Sequence, residues 1–105
     1  MNLDRVPYDL KEVARRMIWN EPPEQALQSP DVFLAHVMTY GTIEDIVTTE
    51  KYFTRDDFRH ALEDAPAGVF DARSWNYWNR AFGRVPVPPM PTRRIPHETA
   101  ARSDH

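Results

Sequence analysis

Prolines and glycines divide this chain into short segments, and within each segment the apolar residues recur with the spacing of an α-helix. No proline falls inside a helical pattern, glycine is scarce, and no alternating run of β-branched residues is long enough for a sheet. We therefore predict an all-α fold, an irregular orthogonal bundle of about five short helices with an extended proline-rich C-terminal tail. The predicted domains are a helical domain at residues 1–84 and a tail at residues 85–105.

Start and stop signals set the predicted helix ends. Asp9 is the expected N-cap of the first helix, and Ser29 followed by Pro30 opens the second. Thr42 and Thr54 open the third and fourth, each with an aspartate three residues later in the manner of a capping box. The predicted helices run at about 9–19, 30–40, 42–53, 55–65 and 71–83, with a short helical turn at 23–28.

The second helix is apolar around most of its girth and is the predicted centre of the bundle. Gly41 is expected to end it in a left-handed conformation. Links of one or two residues to the next two helices force neighbouring helices to turn sharply, which favours an orthogonal arrangement. The side chains predicted to face inward from the last three helices are Ile43, Ile46, Val47 and Phe53, then Phe58, Ala61, Leu62 and Ala65, then Trp75, Trp78 and Phe82.

Composition narrows the functional classes. The chain has no cysteine, which excludes disulfides and thiolate zinc sites, and its apolar runs predict neither a signal peptide nor a membrane span. We expect a cytoplasmic protein. Residues 1–64 carry seven Lys/Arg against thirteen Asp/Glu, whereas residues 65–105 carry six Arg against three Asp/Glu. The acidic body does not favour nonspecific binding of nucleic acid, which needs a cationic surface.

No constellation of residues points to catalysis, a metal or a cofactor. The four histidines lack the spacing of metal ligands, and His36 fits a core or boundary histidine with a satisfied ring. His60 lies among acids of its own helix, which indicates a solvated charged face. Adjacent acids such as Glu44 and Asp45 diverge by about 100° around a helix, so they do not converge on one atom. We predict a protein that is not an enzyme and holds no metal or cofactor.

The composition of the C-terminal tail is the clearest indication in the sequence that the chain binds another protein. Segment 85–96 holds five of the ten prolines, and we expect it in polyproline II form or as a disordered linker. Met90 and Ile95 have no place in an extended tail unless they pack on this domain or on another chain. Arg93 and Arg94 offer charge-assisted hydrogen bonds to carboxylates or phosphates. With Tyr77 from the aromatic segment 75–79, the predicted partner-binding residues are Tyr77, Pro88, Pro89, Met90, Pro91, Arg93, Arg94 and Ile95.

The run from Phe33 to Ile46 joins an apolar helix to Tyr40-Gly41 and then to Thr-Ile-Glu-Asp. It resembles the signature of small helical bacterial proteins encoded beside nucleotidyltransferase-type toxins of the abortive-infection class. Segments 58–62 and 73–78 are also similar to that group, and the resemblance covers residues 19–82 with a looser extension to 91–96. It implies an antitoxin that binds a toxin enzyme and blocks its site or locks its domains, with no catalytic residues of its own.

Two other functions stay open. Residues 42–53 and 55–65 could form the helix-turn-helix of a DNA-binding transcriptional regulator, although its recognition helix would begin with as many acids as arginines. Pro88 to Pro91 satisfies the PxxP pattern, so the chain could instead be an adaptor that presents a polyproline ligand. The leading prediction is a non-catalytic protein-binding partner, an antitoxin for a nucleotidyltransferase-type toxin, and we expect neither nucleic acid nor a membrane as its partner.

Overall fold

Six helices occupy the part of the chain that the computed structural model describes, residues 6–91. They are α1 (Tyr8–Met17), α2 (Pro23–Ala26), α3 (Pro30–Tyr40), α4 (Ile43–Glu50), α5 (Arg55–Glu63) and α6 (Ala72–Ala81). No strand occurs within residues 6–91, so the all-α prediction is confirmed. None of the described helices is both long enough and apolar enough to cross a membrane.

Helix α3 is the centre of the fold. It packs against each of the other five helices, and its side chains Phe33, Leu34, Ala35 and Val37 are fully inaccessible to solvent. The prediction that the second long helix lies at the centre is confirmed. The physical reason is its apolar composition. A helix that is apolar around most of its girth is stable when other helices cover most of its surface.

Two capping boxes fix the starts of α4 and α5, as predicted. The Thr42 hydroxyl accepts from the Asp45 amide at 3.1 Å, and the Asp45 carboxylate accepts from the Thr42 amide at 3.0 Å. Thr54 and Asp57 repeat the arrangement at 3.1 and 2.8 Å. Each box satisfies two amides that the first turn of a helix leaves without intrahelical partners.

Two predicted helix ends are wrong. Helix α1 starts at Tyr8 with Pro7 as its N-cap, so Asp9 lies inside the first turn and does not cap it. Gly41 has a φ of −72°, which is not left-handed. The close packing of the backbone at this position explains why the residue is glycine. A Cβ atom on residue 41 would lie 2.6 Å from the Val37 carbonyl oxygen.

Helix α4 turns its polar side inward. Asp45 and Thr49 are buried, with 3% and 0% of their surfaces exposed, whereas Ile43 and Val47 are 80% and 54% exposed. The predicted inward face is therefore wrong for Ile43 and Val47, although Phe53 beyond the helix is buried. The polar side faces α1, where the Arg16 guanidinium lies 2.8 Å from the Asp45 carboxylate.

Candidate protein-binding surfaces

The structure places the predicted partner-binding residues on two separate surfaces. The Pro88 carbonyl accepts from Trp75 and Met90 packs against the core, whereas Pro89 is exposed and Tyr77 lines a groove between α4 and α6. Trp75 and Tyr77 are two residues apart on α6, and successive helical residues turn by about 100°, so they point in nearly opposite directions. Arg93, Arg94 and Ile95 lie outside the described residues, as does the predicted tail from residue 92 onward.

The first surface is the proline segment, which we define as residues 85–91. The Trp75 indole N–H donates to the Pro88 carbonyl at 2.8 Å, and Trp75 itself is 95% buried, edge-on to Phe70 at a ring distance of 5.4 Å. Val87 and Met90 pack against the core as half-buried side chains. Of the two possibilities that the sequence left for Met90, the structure therefore realises packing on its own domain.

A buried asparagine that the sequence did not single out supports the start of this segment. Asn79 is fully buried, and its side-chain amide donates to the Trp75 carbonyl at 2.8 Å. The Asn79 backbone carbonyl accepts from the Arg84 amide at 2.8 Å, just after α6 ends. Gly83 has a φ of +75°, a left-handed conformation that glycine adopts without strain. Together these contacts turn the chain back toward Trp75.

The second surface is the α4–α6 groove. Helices α4 and α6 each pack on α3, and the space left between them is an open groove of about 790 Å³. Met38, Ile46 and Trp78 are its half-buried or buried apolar lining, and the Trp78 indole N–H donates to the Met38 carbonyl at 2.8 Å. Because Trp78 has its polar atom satisfied from within, its ring presents an apolar surface to the groove.

The rim of the groove consists of apolar side chains that are largely exposed. Ile43 and Val47 come from α4, and Tyr77, 63% exposed, comes from α6. The buried face of α4 carries Asp45 and Thr49, and of its apolar residues Ile46 packs against the core while Ile43 and Val47 stay exposed. A contiguous apolar patch of this kind is typical of a surface that binds protein. The sequence alone does not specify which side of α4 packs against α1, so it could not indicate that Ile43 and Val47 would be exposed.

A cluster of one histidine and two acids joins α3 to α5. The two ring nitrogens of His60 lie 3.1 Å from a carboxylate oxygen of Asp31 and 3.1 Å from one of Asp64. The sequence had indicated only a solvated charged face here, because Asp31 is distant in sequence. These three residues could hold a metal ion, but each ring nitrogen already faces its own carboxylate, which is the arrangement of an imidazolium that donates twice.

This cluster predicts a pH-dependent stability. A hydrogen bond with Asp31 and the nearby charges of Asp31 and Asp64 raise the pKa of His60 above its ordinary value of 6.5. The stabilisation is complete below the unfolded value of 6.5 and is lost as pH rises through the folded pKa. We expect urea denaturation to give a lower unfolding free energy at about pH 9 than at about pH 6, and the difference to shrink in His60→Gln. An unchanged difference in the variant would rule out His60 as its source.

Another polar cluster ties α1 to the residues that follow α4. The Asp9 carboxylate accepts from the Lys51 ammonium and the Tyr52 hydroxyl, both at 2.8 Å. These two hydrogen bonds lower the pKa of Asp9, and the same contacts raise the pKa of Lys51 and of Tyr52. A lysine nucleophile or general base needs the opposite shift, so the cluster is suited to holding α1 in place.

The cations of α5 are engaged by the protein itself. Arg55 donates to the Ala81 carbonyl at 3.2 Å and lies 4.5 Å from the centre of the Phe82 ring. Arg59 is paired with Asp56, and His60 is held by its two acids. A recognition helix needs free donors for base edges and phosphates, so this helix is poorly prepared to read DNA.

Comparison of the chain with known proteins found no matching family model, and no curated protein or solved structure matches it.

Proposed function

We propose that this chain has no chemistry of its own and acts by binding another protein, as an antitoxin that neutralises a nucleotidyltransferase-type toxin. The observation that carries the proposal is the anchoring of the proline segment, with Trp75 donating to the Pro88 carbonyl and Val87 and Met90 on the core. The resemblance of residues 33–46 to the toxin-associated group supports the identity of the partner.

The basic C-terminal end of the sequence is attached to a segment that packs on the helical domain. Residues 92–105 begin two positions after Met90, which packs on the core, and include Arg93, Arg94 and Arg102. The active site of a nucleotidyltransferase needs carboxylates to hold its metal ions, and arginines pair with carboxylates through two parallel hydrogen bonds. An arginine-bearing arm that starts from a fixed point loses less entropy on binding than one on a free linker.

The same anchor weighs against the adaptor function. A polyproline-binding domain reads ring faces and carbonyl oxygens of its ligand. Here the Pro88 carbonyl is already bonded to Trp75, and the neighbouring Val87 and Met90 pack on the core. Recognition by such a domain would first have to break these contacts.

The proposal is tested by purifying the full chain from its native host and identifying the bound protein by mass spectrometry. That protein is then assayed for nucleotide transfer alone and with the chain added. We expect a nucleotidyltransferase whose activity falls when the chain binds. A partner of another class, or a transferase that keeps full activity in the complex, would overturn the proposal.

Truncation separates the arm from its anchor. Removing residues 92–105 leaves the packed segment in place, whereas removing residues 85–105 would also strip Val87 and Met90 from the core. We expect the shorter truncation to weaken binding to the purified transferase at least about tenfold, because two or more charge-assisted pairs are lost. The matched variants are Arg93→Glu with Arg94→Glu, which should behave like the truncation, and Arg93→Lys with Arg94→Lys, which should lose less. Affinities are measured by calorimetry for the full chain, the chain without residues 92–105 and the two double variants. Equal affinity of these four proteins for the transferase would show that residues 92–105 are not part of the interface.

A further inference from the structure

The α4–α6 groove is lined by two stripes of helical side chains. On α4 the lining residues are Ile43, Ile46, Val47 and Glu50, which have the i, i+3, i+4, i+7 spacing of one helix face. Helix α6 lines the opposite side with residues one turn apart, among them Tyr77. From Ile43 to Glu50 the α4 stripe is about 10 Å long, at about 1.5 Å per residue. The groove is therefore about two helical turns long.

The walls of the groove present side chains rather than backbone groups. Every lining residue except Asp71, the N-cap of α6, lies within a helix, where backbone N–H and C=O groups run along the axis and bond mainly within the helix. The Trp78 indole N–H is bonded to the Met38 carbonyl, and the Asp71 carboxylate accepts from the Ser74 amide at 2.7 Å. An extended segment in this groove would bury its own N–H and C=O groups against apolar side chains without partners.

The charges that line the groove balance at each of its ends. Glu50, the last residue of α4, and Arg55 lie at one end, where Arg55 donates to the Ala81 carbonyl at the end of α6. Asp71 and Arg73 lie at the start of α6. Each end carries one acid and one cation, so the groove attracts neither a strongly acidic nor a strongly basic segment. This balance matches an occupant whose groove-facing side is apolar and uncharged.

We propose that this groove binds an amphipathic helix of the partner protein, with apolar side chains at i, i+3 or i+4, and i+7 facing the lining. A helix satisfies its own backbone hydrogen bonds, so it buries none of the unpaired groups that an extended segment would bury. Three such anchors span seven residues, the same length as the stripe from Ile43 to Glu50. The inference rests on the proposed function in one respect, namely that the chain acts by binding another protein.

Acidic substitutions on the rim of the groove test the proposal. The groove variant combines Ile43→Asp with Val47→Asp, at positions that are 80% and 54% exposed, so the new charges stay in water in the free chain. On binding a helix they would be desolvated against its apolar anchors. We expect calorimetry to give at least about tenfold weaker binding to the partner that is purified with the full chain. An affinity equal to that of wild type would overturn the proposal.

The matched control changes two exposed apolar side chains outside the groove. Tyr8→Asp with Trp19→Asp alters positions that are 76% and 83% exposed, and Tyr8 begins α1 as Ile43 begins α4. We expect the control to bind the partner within about twofold of wild type. Circular dichroism checks that the helices of both variants are intact. An equal loss of affinity in the control would show that the effect does not come from the groove.

Cross-linking identifies the bound segment of the partner. Because the chain has no cysteine, Tyr77→Cys provides a single site in the groove for a photoreactive maleimide. Mass spectrometry of the cross-linked partner should locate a segment with apolar residues at i, i+3 or i+4, and i+7. A synthetic peptide of that segment should gain helical circular dichroism when the full chain is added. A segment without this spacing, or a peptide that binds without becoming helical, would rule out a helix in the groove.

The outcomes separate this inference from the proposed function. A partner that is not a nucleotidyltransferase, but binds the groove variant more weakly than wild type, would contradict the proposed function and support the helix in the groove. A transferase that binds the groove variant as tightly as wild type would do the reverse. A full chain that retains no protein from its host would contradict both.

Discussion

Replacing Trp75 with alanine is expected to lower the free energy of unfolding by about 3–5 kcal/mol, the range for removing a buried tryptophan. The side chain is 95% buried, it packs edge-on against Phe70, and it holds the Pro88 carbonyl. A domain of this size has a total stability of only about 5–10 kcal/mol. Urea denaturation followed by circular dichroism should place the variant close to the limit of folding.

A milder substitution separates the core role of Trp75 from its role as an anchor. Trp75→Phe keeps an aromatic ring in the core and loses the N–H that donates to Pro88, at an expected cost of about 1–2 kcal/mol. The proline segment should then leave the surface more often. The methyl NMR signal of Met90 would move toward the position of a solvated methionine.

The matched control is Trp78→Phe. Trp78 also donates its indole N–H to a backbone carbonyl at 2.8 Å, but that carbonyl belongs to Met38 in α3 and not to the proline segment. We expect a similar loss of stability with no change in the Met90 signal. If both variants shift the signal equally, or neither does, then the Trp75 hydrogen bond does not hold the segment.

The features that could be predicted from the sequence depend on residues close together in the chain. The two capping boxes need only a threonine and an aspartate three residues apart. The central position of α3 follows from its own composition, because its apolar residues occupy most of the helix surface. In both cases the residues that determine the structural feature lie within one short segment of the sequence.

The features that could not be predicted depend on residues far apart in the chain. Arg16 meets Asp45, and Asp31 meets His60, each across 29 positions of sequence. Nothing in the spacing of these residues indicates which pairs form. The orientation of α4 follows from the first of them, because the helix turns toward α1 the side that carries its buried acid. The periodicity favoured Ile43, Ile46 and Val47 as the inward side, but only Ile46 packs against the core, and Ile43 and Val47 are exposed.

The division of the predicted binding residues into two surfaces has the same origin. Aromatic density favoured a partner-binding role for Tyr77, and composition favoured one for the proline segment. Only the rotation of α6 places Tyr77 in the groove and Trp75 against Pro88. The groove and the proline segment are therefore two separate surfaces of the described part of the chain.

Asp45 is the residue on which the orientation of α4 depends, so its removal should have a large effect. Burial raises the pKa of the Asp45 carboxyl, but hydrogen bonds from the Arg16 guanidinium and the Thr42 amide outweigh burial and lower it. Asp45→Ala leaves the Thr42 amide without its partner and breaks the ion pair, at an expected cost of about 2–3 kcal/mol. Arg16 is half-exposed and can turn to water, which keeps the cost below that of a fully buried pair.

Asp45→Asn and a double-mutant cycle with Arg16→Ala identify the source of that cost. Asparagine keeps the acceptor for Thr42 and loses the charge, so it should cost less than alanine and should show little coupling to Arg16. Because the folded pKa lies below the unfolded value of 3.8, the stabilisation by this carboxylate is present above pH 3.8 and is lost as pH falls through the folded pKa. The unfolding free energy of wild type should therefore approach that of Asp45→Asn in strong acid, when both are measured by urea denaturation. If the gap between the two proteins stays constant from neutral to acidic pH, the charge of Asp45 does not stabilise the fold.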